Sequence, residues 1–294
     1  MPPISLLVDC RDSEWLLERD WLLDLHSQDS NFSVHLFSRI RSEFLDPQKS
    51  IALCPAVNVE NGLIFFLKKN KNIIDWACWI KQLNADLTLG FSDPRLQYRC
   101  SKSNLQHELL LKAIKGRGSL QGLRVVDATA GLMRESAILA SAGCKVLAIE
   151  RIALLAELLK HSASSIEMGM TQNLDVVCGN SLQVLSEWQS TADRKLSAAH
   201  WQEPPDIIYL DPMYQQGLKP SAALKKEMVF LKTLNQNLGL RPDEGEQLAL
   251  FESARNLATK KVVVKRAPKA EPIGGLKPAS VVLGKALRFD IYPT

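Results

Sequence analysis

Residues 123–150 read LRVVDATAGLMRESAILASAGCKVLAIE. A short β-branched run, Leu123–Asp127, meets the small-residue turn Ala128-Thr129-Ala130-Gly131. Helical spacing follows from about Met133 to Ala142, Gly143 closes it, and a second apolar run spans Cys144–Glu150. Strand, tight turn, helix and strand make a βαβ unit, whose two strands lie parallel. The alternation continues downstream. Ala153–Gly169 and Leu182–Gln189 have helical spacing around the apolar run Leu174–Cys178. Pro205 precedes a fourth strand, Asp206–Leu210. Leu224–Leu234 and Leu248–Ala258 read as helices, and Lys261–Lys265 as a fifth strand. Ala279–Leu283 and Ala286–Tyr292, about Gly284-Lys285, predict a closing hairpin. Strands alternating with helices imply right-handed crossovers and a mostly parallel sheet covered on both faces, an α/β fold.

The composition agrees with a folded enzyme-sized chain. Of 294 residues, 46% are hydrophobic and 23% charged, which excludes a disordered tail, a collagen and a coiled coil. No apolar run approaches the roughly 20 residues needed to cross a bilayer. The opening Met1-Pro-Pro-Ile-Ser-Leu-Leu-Val-Asp-Cys10 has no basic n-region, so no secretory signal is expected. Cysteines at 10, 54, 78, 100, 144 and 178 form no C-x-x-C pair, and His26, His35, His107, His161 and His200 show no metal-ligand spacing. A cytoplasmic protein without a metal is predicted.

Residues 1–100 read as a separate accessory region of α+β character, with the main domain over 101–294. Ile51–Cys54 and Leu63–Leu67 are expected strands about the turn Glu60-Asn61-Gly62. Trp15–Leu25 and Ile73–Leu83 have helical spacing. Asp93-Pro94 marks a break, and an amphipathic helix runs from Ser103 through Lys115 to a stop at Gly116 and Gly118. Charge divides along the same line. Residues 1–100 hold 11 basic and 13 acidic side chains, and residues 101–294 hold 25 and 19. Between Arg255 and Arg288 nine basic residues face one acid, Glu271. Such a stretch attracts a polyanion, and Lys225, Lys226, Lys260, Lys265 and Arg266 are the candidate contacts to an RNA backbone.

In parallel sheets the ligand sits at the carboxyl ends of the strands. The first strand ends in Asp127, and the small residues after it let a ligand approach the backbone and the open N–H groups of the next helix. The glycine pattern of dinucleotide binding, G-x-G-x-x-G, is absent, which argues against a dehydrogenase. Glu150 ends the second strand about 20 residues past the turn, where an acid accepts hydrogen bonds from ribose hydroxyls. Alone, Asp127 also reads as a helix-start residue and Glu150 as an exposed strand-end charge; together they predict a cofactor containing a nucleoside.

The fourth strand carries the sharpest signal, Ile207-Ile208-Tyr209-Leu210-Asp211-Pro212-Met213-Tyr214. Asp-Pro is also common in plain turns. Placed after a buried strand, however, it suits methyl transfer to a planar exocyclic amine. Such a nitrogen is a poor nucleophile because its lone pair is delocalised into the ring. Asp211, with the Pro212 carbonyl, can accept the amine N–H bonds and stabilise a more pyramidal nitrogen, and Tyr214 can stack on the base.

Five blocks in order resemble the RsmJ family of small-subunit ribosomal RNA methyltransferases. They are Val126–Leu132, Tyr209–Tyr214, Ser221–Met228, Ala258–Arg266 and Arg288–Tyr292, and the resemblance covers roughly residues 100–294. It implies a class I, Rossmann-like methyltransferase with a mostly parallel seven-stranded sheet and a C-terminal antiparallel hairpin. It also implies S-adenosylmethionine as cofactor and the N2 of a guanosine in bacterial small-subunit ribosomal RNA as target, in naked RNA or the assembled subunit. By the same resemblance Arg134, Glu135, Glu150, Arg151, Asn180 and Ser181 bind the cofactor and Asp211 is the motif acid; the strand ends add Asp127, Gly131 and Asp211 to the cofactor set, and Asp211, Pro212 and Tyr214 are expected to carry the chemistry. Met133 stands where the family has Gly, Glu135 where it has Asp, and Asn180 where it has Ser. The competing readings are a methyltransferase for another amine, such as adenine N6 of RNA or DNA, and a non-catalytic RNA-binding assembly factor that kept the fold.

Overall fold

A strand covered on both faces needs apolar residues at every position rather than at alternate ones. Val125 and Val126, Val146–Ile149, Ile207–Leu210 and Val262–Val264 are all buried, and they form the centre of the larger of two sheets. A computed structural model describes residues 4–9, 32–37, 63–70, 73–83, 85–164, 171–190, 201–212, 226–240 and 243–294. The chain divides into two units, Met1–Asp93 with Gly217–Arg241 and Pro94–Gln216 with Pro242–Thr294.

The first unit holds β1 (Ile4–Asp9), β2 (Phe32–Phe37), β3 (Leu63–Asn70), β4 (Ile73–Ile80) and β5 (Ala85–Thr88), in the order β2-β1-β3-β4-β5. The first three strands are parallel, and β3, β4 and β5 are antiparallel to one another in sequence. The helical spacing expected over Ile73–Leu83 is therefore corrected to a strand followed by a short 3-10 turn at Lys81–Leu83. The reason is pairing: β4 lies antiparallel along β3 with Cys78 opposite buried Phe65, and Trp76, Ala77, Cys78 and Ile80 are all buried. The helix Lys226–Asn237 also belongs to this unit; Phe230 meets Phe65 edge-on at 5.8 Å, and Lys226 Nζ donates to the Asp86 carbonyl at 3.1 Å. The elements expected at Trp15–Leu25 and Ile51–Cys54 lie outside the described residues.

The second unit begins with α1 (Pro94–Cys100), whose first residue is the proline of the expected break. Proline suits the first helical position because that N–H has no helical partner anyway. The single helix expected from Ser103 to Lys115 is two, α2 (Lys102–Leu105) and α3 (Leu109–Lys115). Glu108 between them is extended, and Arg99 grips its carboxylate with two bonds of 2.7 and 2.9 Å. Next come β6 (Arg124–Asp127), α4 (Arg134–Ser141), β7 (Lys145–Glu150), α5 (Ala153–Ser164), β8 (Leu174–Cys178), α6 (Ser181–Ser190) and β9 (Ile207–Leu210). Lys226–Asn237 is α7 in chain order, followed by α8 (Glu244–Leu257), β10 (Lys261–Arg266), β11 (Ser280–Leu283) and β12 (Arg288–Pro293).

The seven strands run β11-β12-β10-β9-β6-β7-β8. Neighbours from β10 to β8 are parallel, and β12 is antiparallel to both β10 and β11, so the C-terminal hairpin is present. One face of the sheet packs Val126, Leu147, Ile208 and Val262 against Leu185 and Trp188 of α6 and Phe251 and Ala254 of α8. Trp188 meets Trp201 edge-on at 6.1 Å, and Phe251 meets Tyr292 at 4.8 Å. Of the two helices between β9 and β10, only α8 packs on this sheet face; α7 serves the first unit. No described helix is long and apolar enough to cross a membrane.

Candidate active site

Parallel register gathers the ends of β6, β7, β8 and β9 along one edge of the sheet. Asp127, the last residue of β6, is fully buried. Its Oδ2 accepts from Ser136 Oγ of α4 at 2.6 Å, and its Oδ1 accepts from the Thr129 N–H at 3.2 Å. Asp127 thus ties the turn to the helix after it. Burial pushes its carboxyl up to about 7, against these two bonds. Gly131 has φ +51 and Met133 has φ +53. The left-handed backbone at Met133 is the conformation the family's glycine would adopt without cost. The Met133 side chain is wholly buried, so it is packed inside the protein and leaves the turn's outer surface to small residues. A left-handed non-glycine residue costs about 1 kcal/mol, which burial of a methionine side chain offsets.

Glu150 ends β7 and is 6% exposed. Its Oε2 accepts from the Gly131 N–H at 2.9 Å and its Oε1 from the Ile152 N–H at 2.8 Å. Each oxygen keeps a second lone pair. Burial raises this carboxyl to about 7, and the two backbone bonds and Arg151 oppose the rise. Arg134 and Glu135 occupy the first turn of α4, and Arg151 is exposed just past β7. After β8, Ser181 Oγ donates to the Ala128 carbonyl at 2.6 Å, fastening the Ala128–Gly131 turn to the start of α6. Asn180 is used locally: its Oδ1 accepts from the Gln183 N–H at 3.2 Å and its Nδ2 donates to Glu246 at 2.8 Å.

Asp211 follows β9. Its backbone N–H donates to Thr129 Oγ1 at 2.6 Å. Lys265 Nζ donates to Asp211 Oδ2 at 2.6 Å and to Glu135 Oε1 at 3.1 Å. Burial pushes the Asp211 carboxyl up, and Lys265 opposes it. Burial would also raise Glu135, but the Lys265 and Arg99 charges hold it below its usual value. Burial works against the Lys265 ammonium, and the two carboxylates outweigh it and raise its pKa. Pro212 is half-buried beside Asp211; Tyr214 lies outside the described residues.

Of the basic residues read as backbone contacts, the three in the second unit, Lys260, Lys265 and Arg266, do not form one patch. Lys265 is bound between Asp211 and Glu135. Arg266 is buried, with its guanidinium donating to the Glu271 carbonyl. Lys260 pairs with Asp206 at 3.2 Å, before the start of β10 and so at the opposite end of the strands from Asp211. Lys226 belongs to the first unit, and Lys225 lies outside the described residues. Thr129, Ser136 and Arg99 are site-supporting residues that sequence reasoning missed. Thr129 had a signal, because a hydroxyl two residues past a strand end can reach the neighbouring strand's end.

A sequence-family model described as a SAM-dependent methyltransferase matches residues 57–294. A curated relative, ribosomal RNA small subunit methyltransferase J of Thioalkalivibrio sulfidiphilus, is 38% identical over 213 residues, 71% of this chain and 76% of the relative. The chain belongs to the ribosomal RNA small subunit methyltransferase J family. The protein of that name from Alteromonas mediterranea is 33% identical over 78% of this chain and 82% of its own length. The fold is shared with a crystal structure of a SAM-dependent methyltransferase from Neisseria gonorrhoeae, with TM-score 0.59 and 23% identity over 98% of this chain and 95% of that one. Like other members of the methyltransferase J family, the chain is thus an S-adenosylmethionine-dependent methyltransferase.

Its residues fit that cofactor. Thr129 and Gly131 of the small-residue turn are half-exposed, which lets a ligand approach its backbone, and the spare lone pairs of Glu150 suit two ribose hydroxyls. Among the described residues no group of three or more His, Cys, Asp and Glu side chains could hold a metal ion.

Asp127 and Glu150 make stability depend on pH. Both have folded-state values near 7, above the ordinary 3.8 and 4.5. A carboxyl raised in the folded state favours folding at low pH, and that benefit disappears as pH climbs through about 4 to 7. Each contributes on the order of 3 kcal/mol over this window. The melting temperature without cofactor is expected to be higher at pH 5.5 than at pH 7.5, and Asp127→Asn to flatten the difference. An identical slope in the variant would refute the assignment for Asp127.

Proposed function

We propose that this chain transfers the methyl group of S-adenosylmethionine to N2 of a guanosine in small-subunit ribosomal RNA, in the cytoplasm. The observation that carries this reading is Asp211. It is a half-buried carboxylate fixed at the end of β9 by Thr129 and Lys265 and followed directly by proline. S-adenosylmethionine, when bound, supplies an electrophilic methyl carbon attached to a sulfonium.

The chain's own residues do the rest. Glu150 and Ser181 set the cofactor turn, and Asp127 holds it against α4. Asp211 accepts an N–H of the exocyclic amine and favours the pyramidal nitrogen whose lone pair can attack. Positive charge builds on that nitrogen, and a fixed carboxylate beside it stabilises the transition state more than the ground state. Once the nitrogen carries its fourth bond, its proton passes to Asp211 or to water. Tyr214 stacks on the base, and Lys225 and Lys226 meet RNA phosphates in naked RNA or in the assembled subunit.

Mass mapping of small-subunit RNA from a deletion strain, with and without the protein restored, tests this. One N2-methylguanosine is expected to vanish and return. An unchanged methylation pattern, or a missing methyl on an adenine N6, would overturn the proposal.

A further inference from the structure

Register brings Lys265 to Asp211. Val264 of β10 lies opposite Leu210 of β9, so the next residue on each chain falls at the same height. Lys265 then reaches Asp211 Oδ2 at 2.6 Å and Glu135 Oε1 at 3.1 Å, with its side chain only 22% exposed. The charges continue in alternating sign. Glu135 also feels Arg99, whose guanidinium is held by Glu108. Asp127 and Tyr209 face Asp211 from β6 and β9. Without Lys265, Asp211 and Glu135 would be two partly desolvated carboxylates with no cation between them.

We infer that Lys265 is a positioning residue for methyl transfer: by bridging Asp211 and Glu135 it fixes the carboxylate that receives the substrate amine. The inference rests on the role given to Asp211 above. Thr129 anchors the main chain of Asp211, Lys265 takes Oδ2, and Oδ1 carries no hydrogen bond to a described residue. One oxygen is therefore anchored and the other presented. A lysine serving an RNA phosphate would instead be exposed, with its N–H bonds uncommitted.

The test uses the full-length protein with Lys265→Met, which keeps the chain length and loses the charge, and Lys265→Arg. Methyl transfer to small-subunit RNA is measured from pH 5.5 to 9 and at several salt concentrations. In Lys265→Met we expect kcat to fall while KM for RNA and its salt dependence hold. The acid limb of the pH profile moves up by about 1–3 units, because Asp211 has lost its opposite charge. Lys265→Arg restores the acid limb. A loss that is equal at every pH, with a raised KM and a salt slope smaller by about one, identifies a phosphate contact and overturns the inference. Thermal melting gives a second readout that needs no RNA. The deficit of Lys265→Met against wild type should widen from pH 5.5 to pH 8, as the two carboxylates ionise without their cation. A deficit independent of pH overturns the inference even if wild type leaves this RNA unmethylated, a result that would by itself sink only the proposed substrate.

Discussion

Asp211→Asn is expected to lower kcat for methyl transfer by about 10²–10³-fold, the usual cost of removing one pre-aimed electrostatic partner from a transition state. The amide is nearly the same size, so packing at the end of β9 is kept. It fails for two reasons. A neutral group does not stabilise positive charge building on the amine. Its NH2 group also sets a donor against either the Lys265 ammonium or the substrate N–H, where a carboxylate offers only acceptors. Thr129 still holds the main chain, because that bond uses the Asp211 backbone N–H. Cofactor affinity measured by calorimetry should therefore change little. Labelled methyl transfer at wild-type rate would remove Asp211 from the mechanism, and a large loss of cofactor affinity would make it a cofactor ligand instead.

Glu150→Gln is expected to act on the other half of the site. Hydrogen bonds to a charged partner contribute about 1.5–3 kcal/mol each, so removing the ionised acceptor of two ribose hydroxyls should weaken cofactor binding by at least tenfold and up to about 10³-fold. The side-chain amide also places its NH2 against the N–H of Gly131 or Ile152, both of which donate to the carboxylate now. The wild-type carboxyl titrates near 7. Ribose hydroxyls donate to its ionised form, so cofactor affinity should fall as pH drops from 8 to 6, and binding near pH 7 should release protons. Calorimetry in buffers of different ionisation enthalpy measures both. The same pH dependence in wild type and Glu150→Gln would place the titrating group elsewhere.

The parallel core was legible because a strand buried on both faces has only one kind of sequence. Val125-Val126, Val146–Ile149, Ile207–Leu210 and Val262–Val264 are unbroken apolar runs, and helices separate them. Asp127, Glu150 and Asp211 were legible for the same reason, since each is the first charge after such a run. What escaped depended on partners distant in sequence. Ile73–Ile80 carries apolar residues at both helical and strand spacing, and only its pairing with β3 selects the strand. The break at Glu108 follows from Arg99 reaching across nine residues. Lys265 sits in a basic run, and its partner is a carboxylate 54 residues earlier, just past the end of a neighbouring strand. Arg266 looks as charged as Lys265 in one dimension, and the sheet buries it.

The helix Lys226–Asn237 has a practical meaning for anyone wishing to dissect this protein. The polypeptide passes from one unit to the other after Asp93, returns after Gln216 and leaves again after Arg241. No single scissor cut separates the halves. A fragment starting at Pro94 would carry a stray helix whose Val229, Phe230 and Leu234 had lost their cover, and a fragment ending at Asp93 would leave Phe65 bare. Clean excision requires two operations: removing the first 93 residues and splicing Gln216 towards Pro242.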